Sequence, residues 1–352
     1  MKKKFTVAEN SRVKILCSEN YNYTFNKESG AFARWGKTRE DDPEYCTFGP
    51  EILDIEISTI CSKACAWCYK GNTGEGTYMS FETFQKIFDK IPNTVTQIAF
   101  GIGDISGNPD QWKIMQYCRD NGVVPNVTIN GDHMTEENYK NLAKYCGAVA
   151  VSHYDDETCF NAVRKLTDLG MKQINIHKLL TEETFKDCMI LLTAAEEEER
   201  LVYLNAIVFL WLKPKGPRNI LTPLLTLDKY KLLVDYVLDR EIRIGFDSCS
   251  ASPFTKCIQG RPEADQISQH VDSCESTCFS YYINVDGIGY PCSFCEGEEG
   301  FAGINLLTME DFSKEVWYAE ETKMFRDRLM GNKDCNGCRQ CPTFNLTVEC
   351  GI

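Results

Sequence analysis

Three cysteines fall within one short segment, Cys61-Ser-Lys-Ala-Cys65-Ala-Trp-Cys68. Thiolates at spacings x3 and x2 on one loop can ligate three irons of a cubane [4Fe–4S] cluster and leave the fourth iron open. A structural zinc ion takes four protein ligands, and no fourth Cys or His stands close by in sequence. The chain carries 19 cysteines in 352 residues. A second group is Cys274, Cys278, Cys292 and Cys295, and a third is Cys335, Cys338, Cys341 and Cys350. These eight thiols would suffice for two fully ligated clusters, although Cys-x2-Cys pairs also suit a zinc ribbon. The other cysteines (Cys17, Cys46, Cys118, Cys146, Cys159, Cys188, Cys249, Cys257) are scattered and read for the most part as small buried hydrophobes.

Further polar residues stand at the ends of apolar runs. Gly101-Ile-Gly103-Asp104 closes one, Thr128-Ile-Asn130-Gly131 another, and Ser152 a third. Asn130-Gly131 is also an ordinary turn pair. Lys213-Pro-Lys215-Gly216-Pro-Arg218 puts three cations together, suited to a carboxylate or phosphate or simply to a solvated loop. His177 and Lys213 are the candidates for residues near a substrate, with His153 beside Ser152. No catalytic side chain is otherwise identifiable.

The elements that must position these residues alternate. Strands are predicted over 52–58, 97–101, 123–129, 148–152, 173–180, 204–212 and 242–246. Helices are predicted over 80–90, 110–121, 135–146, 156–169, 181–198 and 226–239. Ser80 and Thr135 are N-cap candidates, and Gly170 closes a helix. Strand–helix alternation means parallel βαβ units. Six of them predict an α/β fold, a partial (β/α)6 TIM-like barrel over 51–249, with chemistry at the C-terminal strand ends. Residues 1–50 read as a cap with a possible β-hairpin, strands at 12–23 and 31–35, followed by a linker over 37–50. Residues 250–352 read as a cysteine-rich second domain, with a hairpin turn at Val285-Asp286-Gly287 and one helix over 315–330.

The triad, placed after the first barrel strand, resembles the signature of the radical S-adenosylmethionine (radical SAM) superfamily, and the resemblance covers about residues 51–247. It implies that Cys61, Cys65 and Cys68 hold a [4Fe–4S] cluster whose open iron chelates the amino and carboxylate groups of S-adenosylmethionine. One electron, from an external donor such as flavodoxin or ferredoxin, then yields a 5′-deoxyadenosyl radical that abstracts a substrate hydrogen. The cofactor carries that chemistry. By the same resemblance, Trp67 and Tyr69 pack at the cluster or the adenine. Gly101, Gly103 and Asp104 replace a Gly-Gly-Glu-like turn that holds the amino group, Thr128 and Asn130 lie near the ribose, and Ser152 faces ribose and carboxylate. Cys278-x8-Gly287-x4-Cys292, Gly303-Ile-Asn305, Trp317 with Phe325-Arg326, and Cys335-x2-Cys338-x2-Cys341-x8-Cys350 resemble the SPASM and Twitch domains. That implies one or two auxiliary [4Fe–4S] clusters, with ligands among Cys274, Cys278, Cys292, Cys335, Cys338, Cys341 and Cys350. The gaps after the Cys-x2-Cys are narrower than in a full SPASM set.

A net charge of −13 weighs against nucleic acid as partner. No run of about 18 apolar residues exists to span a membrane. The start, Met1-Lys-Lys-Lys-Phe5, lacks the apolar stretch of a secretory signal, so a cytoplasmic location is expected. The expected function is that of a peptide or protein maturase. A radical enzyme acting on a small anionic molecule, and a non-catalytic zinc or iron–sulfur interaction protein, are the alternatives.

Overall fold

The structure, a computed structural model, describes residues 5–224, 226–240, 242–334 and 337–344. The N-terminal segment forms a four-stranded antiparallel sheet, β1 (Phe5–Glu9), β2 (Val13–Ser18), β3 (Asn22–Asn26) and β4 (Phe32–Trp35), paired in that order. This corrects the single hairpin expected from sequence. The stretch 12–23 is interrupted by a tight turn in which the Ser18 hydroxyl donates to the Tyr21 carbonyl at 2.6 Å and the Ser18 amide donates to Asn22 Oδ1 at 2.9 Å. Such side-chain-to-backbone bonds let Ser and Asn compete with strand pairing.

The alternating region follows. It runs β5 (Ile52–Glu56), α1 (Phe81–Phe88), β6 (Gln97–Gly101), α2 (Gln111–Asp120), β7 (Val124–Ile129), α3 (Glu136–Tyr145) and β8 (Val149–Ser152). It continues with α4 (Asp156–Asp168), β9 (Ile174–Leu180), α5 (Phe185–Glu197), β10 (Ala206–Trp211), α6 (Leu227–Leu238) and β11 (Ile244–Phe246). The Ser80 side chain accepts from the Thr83 amide and Thr135 from Asn138, so both predicted caps form. All of these strands are parallel, as strands joined through helices must be. Ile55, Ile98, Val127, Val149, Ile176 and Ile207 are buried beneath the helices and form the main core with Phe84, Phe160 and Trp211. This is the partial-barrel α/β architecture.

The chain then forms α7 (Ala251–Ile258), α8 (Ala264–Ser268), β12 (Ser280–Ile283), β13 (Ile288–Tyr290), β14 (Ile304–Asn305), a π-helical turn (Ser313–Trp317) and α9 (Glu320–Gly331). The helix expected over 315–330 is therefore broken. Trp317 is fully buried and its indole donates to the Cys46 carbonyl at 2.9 Å, which turns the chain before α9 starts. β12 pairs in parallel with β5, so the large sheet runs β11-β10-β9-β8-β7-β6-β5-β12-β13-β14. The C-terminal region thus adds strands directly beside the strand that precedes the cysteine triad. A second core joins Leu16, Tyr21, Tyr23 and Phe25 of the N-terminal sheet to Cys278, Phe279, Tyr282, Phe325 and Leu329. Arg34 crosses this junction, 3.1 Å from Glu51 and 2.8 Å from Glu275, with its guanidinium over the Phe279 ring. No helix among the described residues is long and apolar enough to cross a membrane.

Candidate functional site

The loop after β5 carries the triad at the C-terminal end of the sheet, where the strand ends converge. Backbone bonds fix its path. The Cys61 amide donates to the Thr73 carbonyl at 2.8 Å, the Asp104 amide to the Ile60 carbonyl at 2.8 Å, and the Cys68 amide to the Cys65 carbonyl at 3.2 Å. Cys61, Cys65 and Cys68 are all half-buried. Ala64, between the first two, adopts φ 41°. Asp104, just past β6, accepts the Ser62 amide at 2.8 Å on one oxygen and the Asn130 side chain at 3.0 Å on the other. It therefore ties the triad loop to the end of β7. Gly103 makes this approach feasible: a Cβ there would lie 2.1 Å from the Ile60 carbonyl oxygen and 2.6 Å from the Cys61 Cβ. Gly101 is less confined, its nearest neighbour being the Glu56 Cα at 3.3 Å.

Aromatic rings cover the loop. Trp67 stacks with Tyr154 at 6.5 Å between centroids, and both are partly exposed. The Tyr154 hydroxyl is hydrogen-bonded with the Cys65 thiol and lies in the field of Cys61 and Cys68 as well. Lys63 pairs with Asp132 at 2.6 Å and lies 4.6 Å from the Tyr154 ring centroid. Tyr69 instead packs on Phe294, with centroids 4.4 Å apart. It is thereby part of the contact with the C-terminal region. Tyr154 was not singled out from sequence. Its signal was its place two residues beyond Ser152 at the end of β8.

Deeper along the strand ends, Thr128 Oγ1 and His177 Nδ1 are 3.5 Å apart, and Ser152 stands beside His177 in register. Burial pulls His177 down to about 4 despite the nearby Asp247 carboxylate, so its imidazole is neutral. Lys213 is buried and paired with Asp247. Burial works against its charge, but Asp247 outweighs it and holds the ammonium above the usual lysine range.

The three cations of 213–218 have internal partners. Besides the Lys213 pair, Lys215 donates to the Phe294 carbonyl at 2.8 Å and pairs with Glu298 at 2.9 Å. Arg218 donates to the Asn72 carbonyl at 3.0 Å and the Cys65 carbonyl at 3.4 Å. Gly216, at φ 116°, lets this segment lie against the Cys68 carbonyl. The segment thus clasps the triad loop and the 294–298 loop, and is neither a solvated loop nor a free anion site.

A buried polar group joins the same loops. Lys70 bonds the Tyr282 hydroxyl at 2.7 Å, pairs with Glu56 at 3.2 Å and contacts Glu296, which accepts from Asn284 at 2.7 Å.

Among the described residues no three His, Cys, Asp or Glu side chains converge as tightly as a single metal ion requires. A cubane cluster spreads its thiolates over separate irons. Three half-buried thiols on one braced loop, with a glycine floor at Gly103 and an aromatic cover, fit it.

Of the C-terminal candidates, Cys274, Cys292 and Cys341 lie within electrostatic range of one another, and Cys295 is hydrogen-bonded with Cys292. Cys278 is buried in the second core, near Arg326, Arg339 and Cys274. Cys338 lies 3.5 Å from the Thr255 hydroxyl. Cys335 and Cys350 lie outside the described residues.

The model of the Radical SAM superfamily matches residues 55–197. No curated protein matches the sequence. Among solved structures, Streptococcus suis SuiB bound to precursor peptide SuiA is similar over 95% of this chain and 93% of that chain, with a TM-score of 0.67 at 13% identity. SuiB bound to S-adenosylmethionine is similar over 83% and 71%, with a TM-score of 0.64 at 16% identity. Native anSMEcpe with bound AdoMet and Cp18Cys peptide is similar over 78% and 82%, with a TM-score of 0.58 at 16% identity. At these identities the likeness is one of fold. With the triad at the mouth of a partial barrel, residues 55–197 of this chain match the radical SAM domain over the same βα units.

Proposed function

We propose that this chain is a radical SAM enzyme that modifies a residue of a peptide or protein, with an auxiliary iron–sulfur site of SPASM or Twitch type in residues 250–352. The observation that carries the peptide reading is the likeness to SuiB bound to its precursor peptide, which takes in 95% of this chain and so extends well beyond the barrel. The internal pairing of Lys213, Lys215 and Arg218 supports it further, because it removes the free cations on which a small anionic substrate would have relied.

Cys61, Cys65 and Cys68 would hold the [4Fe–4S] cluster, leaving one iron for S-adenosylmethionine. When bound, that pair supplies reductive cleavage of S-adenosylmethionine and hence hydrogen abstraction from the substrate. The chain's own residues place and shield it. Asp104 and Asn130 brace the loop between two strand ends, while Trp67 and Tyr154 cover the triad and limit water. Gly101, Thr128 and Ser152, at the ends of β6, β7 and β8, would line the S-adenosylmethionine pocket. Tyr69 is reassigned to the junction with the 294–298 loop. His177, neutral and buried, would offer a hydrogen bond rather than a charge to whatever enters the barrel. Flavodoxin or ferredoxin would supply the electron.

Anaerobic incubation of reconstituted protein with S-adenosylmethionine and a reductant should release 5′-deoxyadenosine. Short peptides encoded beside the gene should raise that release and show a mass loss of two hydrogens or, for an epimerisation, uptake of solvent deuterium. Stimulation by small anionic metabolites and by no peptide would overturn the peptide reading. Reconstituted protein that cleaves no S-adenosylmethionine would favour a non-catalytic interaction protein.

A further inference from the structure

We infer that Cys249 is a ligand of the auxiliary iron–sulfur cluster, completing a set with Cys274, Cys292 and Cys341. The inference rests on the auxiliary site proposed above. In sequence Cys249 belongs to no cysteine motif and reads as one more scattered thiol. Its position says otherwise. It lies in a short 3-10 turn, Ser248–Ser250, immediately after β11, at the same end of the sheet as the triad loop.

Asp247 holds that turn in place. Its Oδ1 accepts the Ser250 hydroxyl at 2.6 Å and the Trp211 amide at 3.3 Å, and its Oδ2 pairs with Lys213. Cys249 lines a cavity of about 350 Å³ together with Cys274, Cys341, Ser252, Arg339 and Thr343. Electrostatic contact links the thiols pairwise: Cys249 with Cys274 and Cys292, Cys274 with Cys292 and Cys341, and Cys341 with Cys292. Three thiols from three separate chain segments therefore line one space, and the fourth, Cys292, lies within electrostatic range of all three.

The bland alternative is a small buried hydrophobe. Cys118 and Cys146 behave that way: both lie in the main core, and the Cys146 sulfur packs 3.8 Å from that of Met115. Cys249 belongs to neither core and has Lys213, Asp247 and Ser252 around it. A single ion would draw its ligands onto itself. Three thiols held apart around a cavity, with a fourth in range of each, suit a polynuclear cluster, which takes one thiolate on each iron. Cys278 and Cys338 do not line this cavity: Cys278 is fully buried in the second core, and Cys338 lies against Thr255. Ligation through Cys249 would anchor the auxiliary cluster to the last barrel strand, next to the Lys213–Asp247 pair.

The test uses a parent in which Cys61, Cys65 and Cys68 are all replaced by Ala, so that any remaining iron reports the auxiliary site. After anaerobic reconstitution with iron and sulfide, the parent should hold iron and, once reduced, give a [4Fe–4S] paramagnetic resonance signal. Adding Cys249→Ser should remove nearly all of that iron and signal. Adding Cys257→Ser, a buried cysteine on α7, should leave both. Retention of the parent's iron and spectrum in the Cys249→Ser protein would overturn the inference and leave the auxiliary site standing. A parent that holds zinc or no metal would overturn the auxiliary site itself.

A second measurement needs no variant. In the reconstituted wild-type protein, Cys249 should resist alkylation together with Cys274, Cys292 and Cys341, and all four should become labelled once the iron is chelated. Equal labelling of Cys249 with and without iron would also overturn the assignment.

Discussion

Replacing Gly103 by Ala should cripple the triad loop while leaving the barrel folded. The added Cβ would sit 2.1 Å from the Ile60 carbonyl oxygen, 2.6 Å from the Cys61 Cβ and 2.7 Å from the Ile60 carbonyl carbon. Two of these atoms are backbone and cannot swing aside, so the strand end and the loop must separate by about an ångström. The φ of Gly103 lies outside the left-handed region, so the effect is steric and not a matter of backbone preference. Forced overpacking of this kind costs about 1–3 kcal/mol. Moving the Ile60 carbonyl also lengthens the bond it accepts from the Asp104 amide, adding about 0.5–1.5 kcal/mol. The expected total is about 1.5–4.5 kcal/mol, borne by the segment that carries Cys61. Gly74→Ala is the control, since a Cβ there meets nothing within 4 Å. Iron per chain and 5′-deoxyadenosine release, measured anaerobically on both variants, should fall severely for Gly103→Ala and little for Gly74→Ala. Wild-type iron and cleavage in the Gly103→Ala protein would refute the claim that close approach at Gly103 shapes the triad loop.

Cys61→Ala, Cys65→Ala and Cys68→Ala should each abolish S-adenosylmethionine cleavage with an unchanged circular dichroism spectrum; full cleavage in any one of them would remove the site. His177 links stability to pH. Its folded value of about 4 lies below the unfolded 6.5, so the contribution is complete above pH 6.5 and is lost as pH falls from 6.5 to 4, by up to about 3 kcal/mol. Urea titrations should show a shallower loss over that window in His177→Phe than in wild type, and equal slopes would count against a buried neutral imidazole. Lys70→Met would leave Glu56 and Glu296 facing each other without their cation, at a cost of about 3–5 kcal/mol. A melting temperature within error of wild type would show that this pair does not depend on Lys70.

The barrel was readable because its signals are local. Each strand is a short apolar run, Ser80 and Thr135 mark the starts of two helices, and three ligand candidates share one loop. Signals that depend on distant partners were not readable. Nothing around Ser280 announces that it will lie beside Ile52, which it meets only in the folded sheet. The segment 213–218 reads as a free basic patch because its partners, Asp247, the 294–298 loop and the triad loop, are far away in sequence. Tyr154 and Cys249 are single residues just past strand ends, and a position at a strand end gains meaning only when the neighbouring ends are in place. In the N-terminal sheet the three residues 19–21, which separate β2 from β3, are hidden inside a run of β-forming residues.

The second core has a consequence for the order in which the molecule assembles. Tyr21, Tyr23 and Phe25 are synthesised about 300 residues ahead of Phe325 and Leu329, with which they share one core. At about 5–20 residues per second, a ribosome leaves that sheet without its partner for roughly 15–60 s. During that interval the barrel units can pack, because their contacts are sequential, whereas the first sheet must wait with its aromatic face uncovered. Contacts of such long sequence separation form slowly. The N-terminal sheet and α9 should therefore be the last parts to become protected from hydrogen exchange on refolding, and they should become protected together.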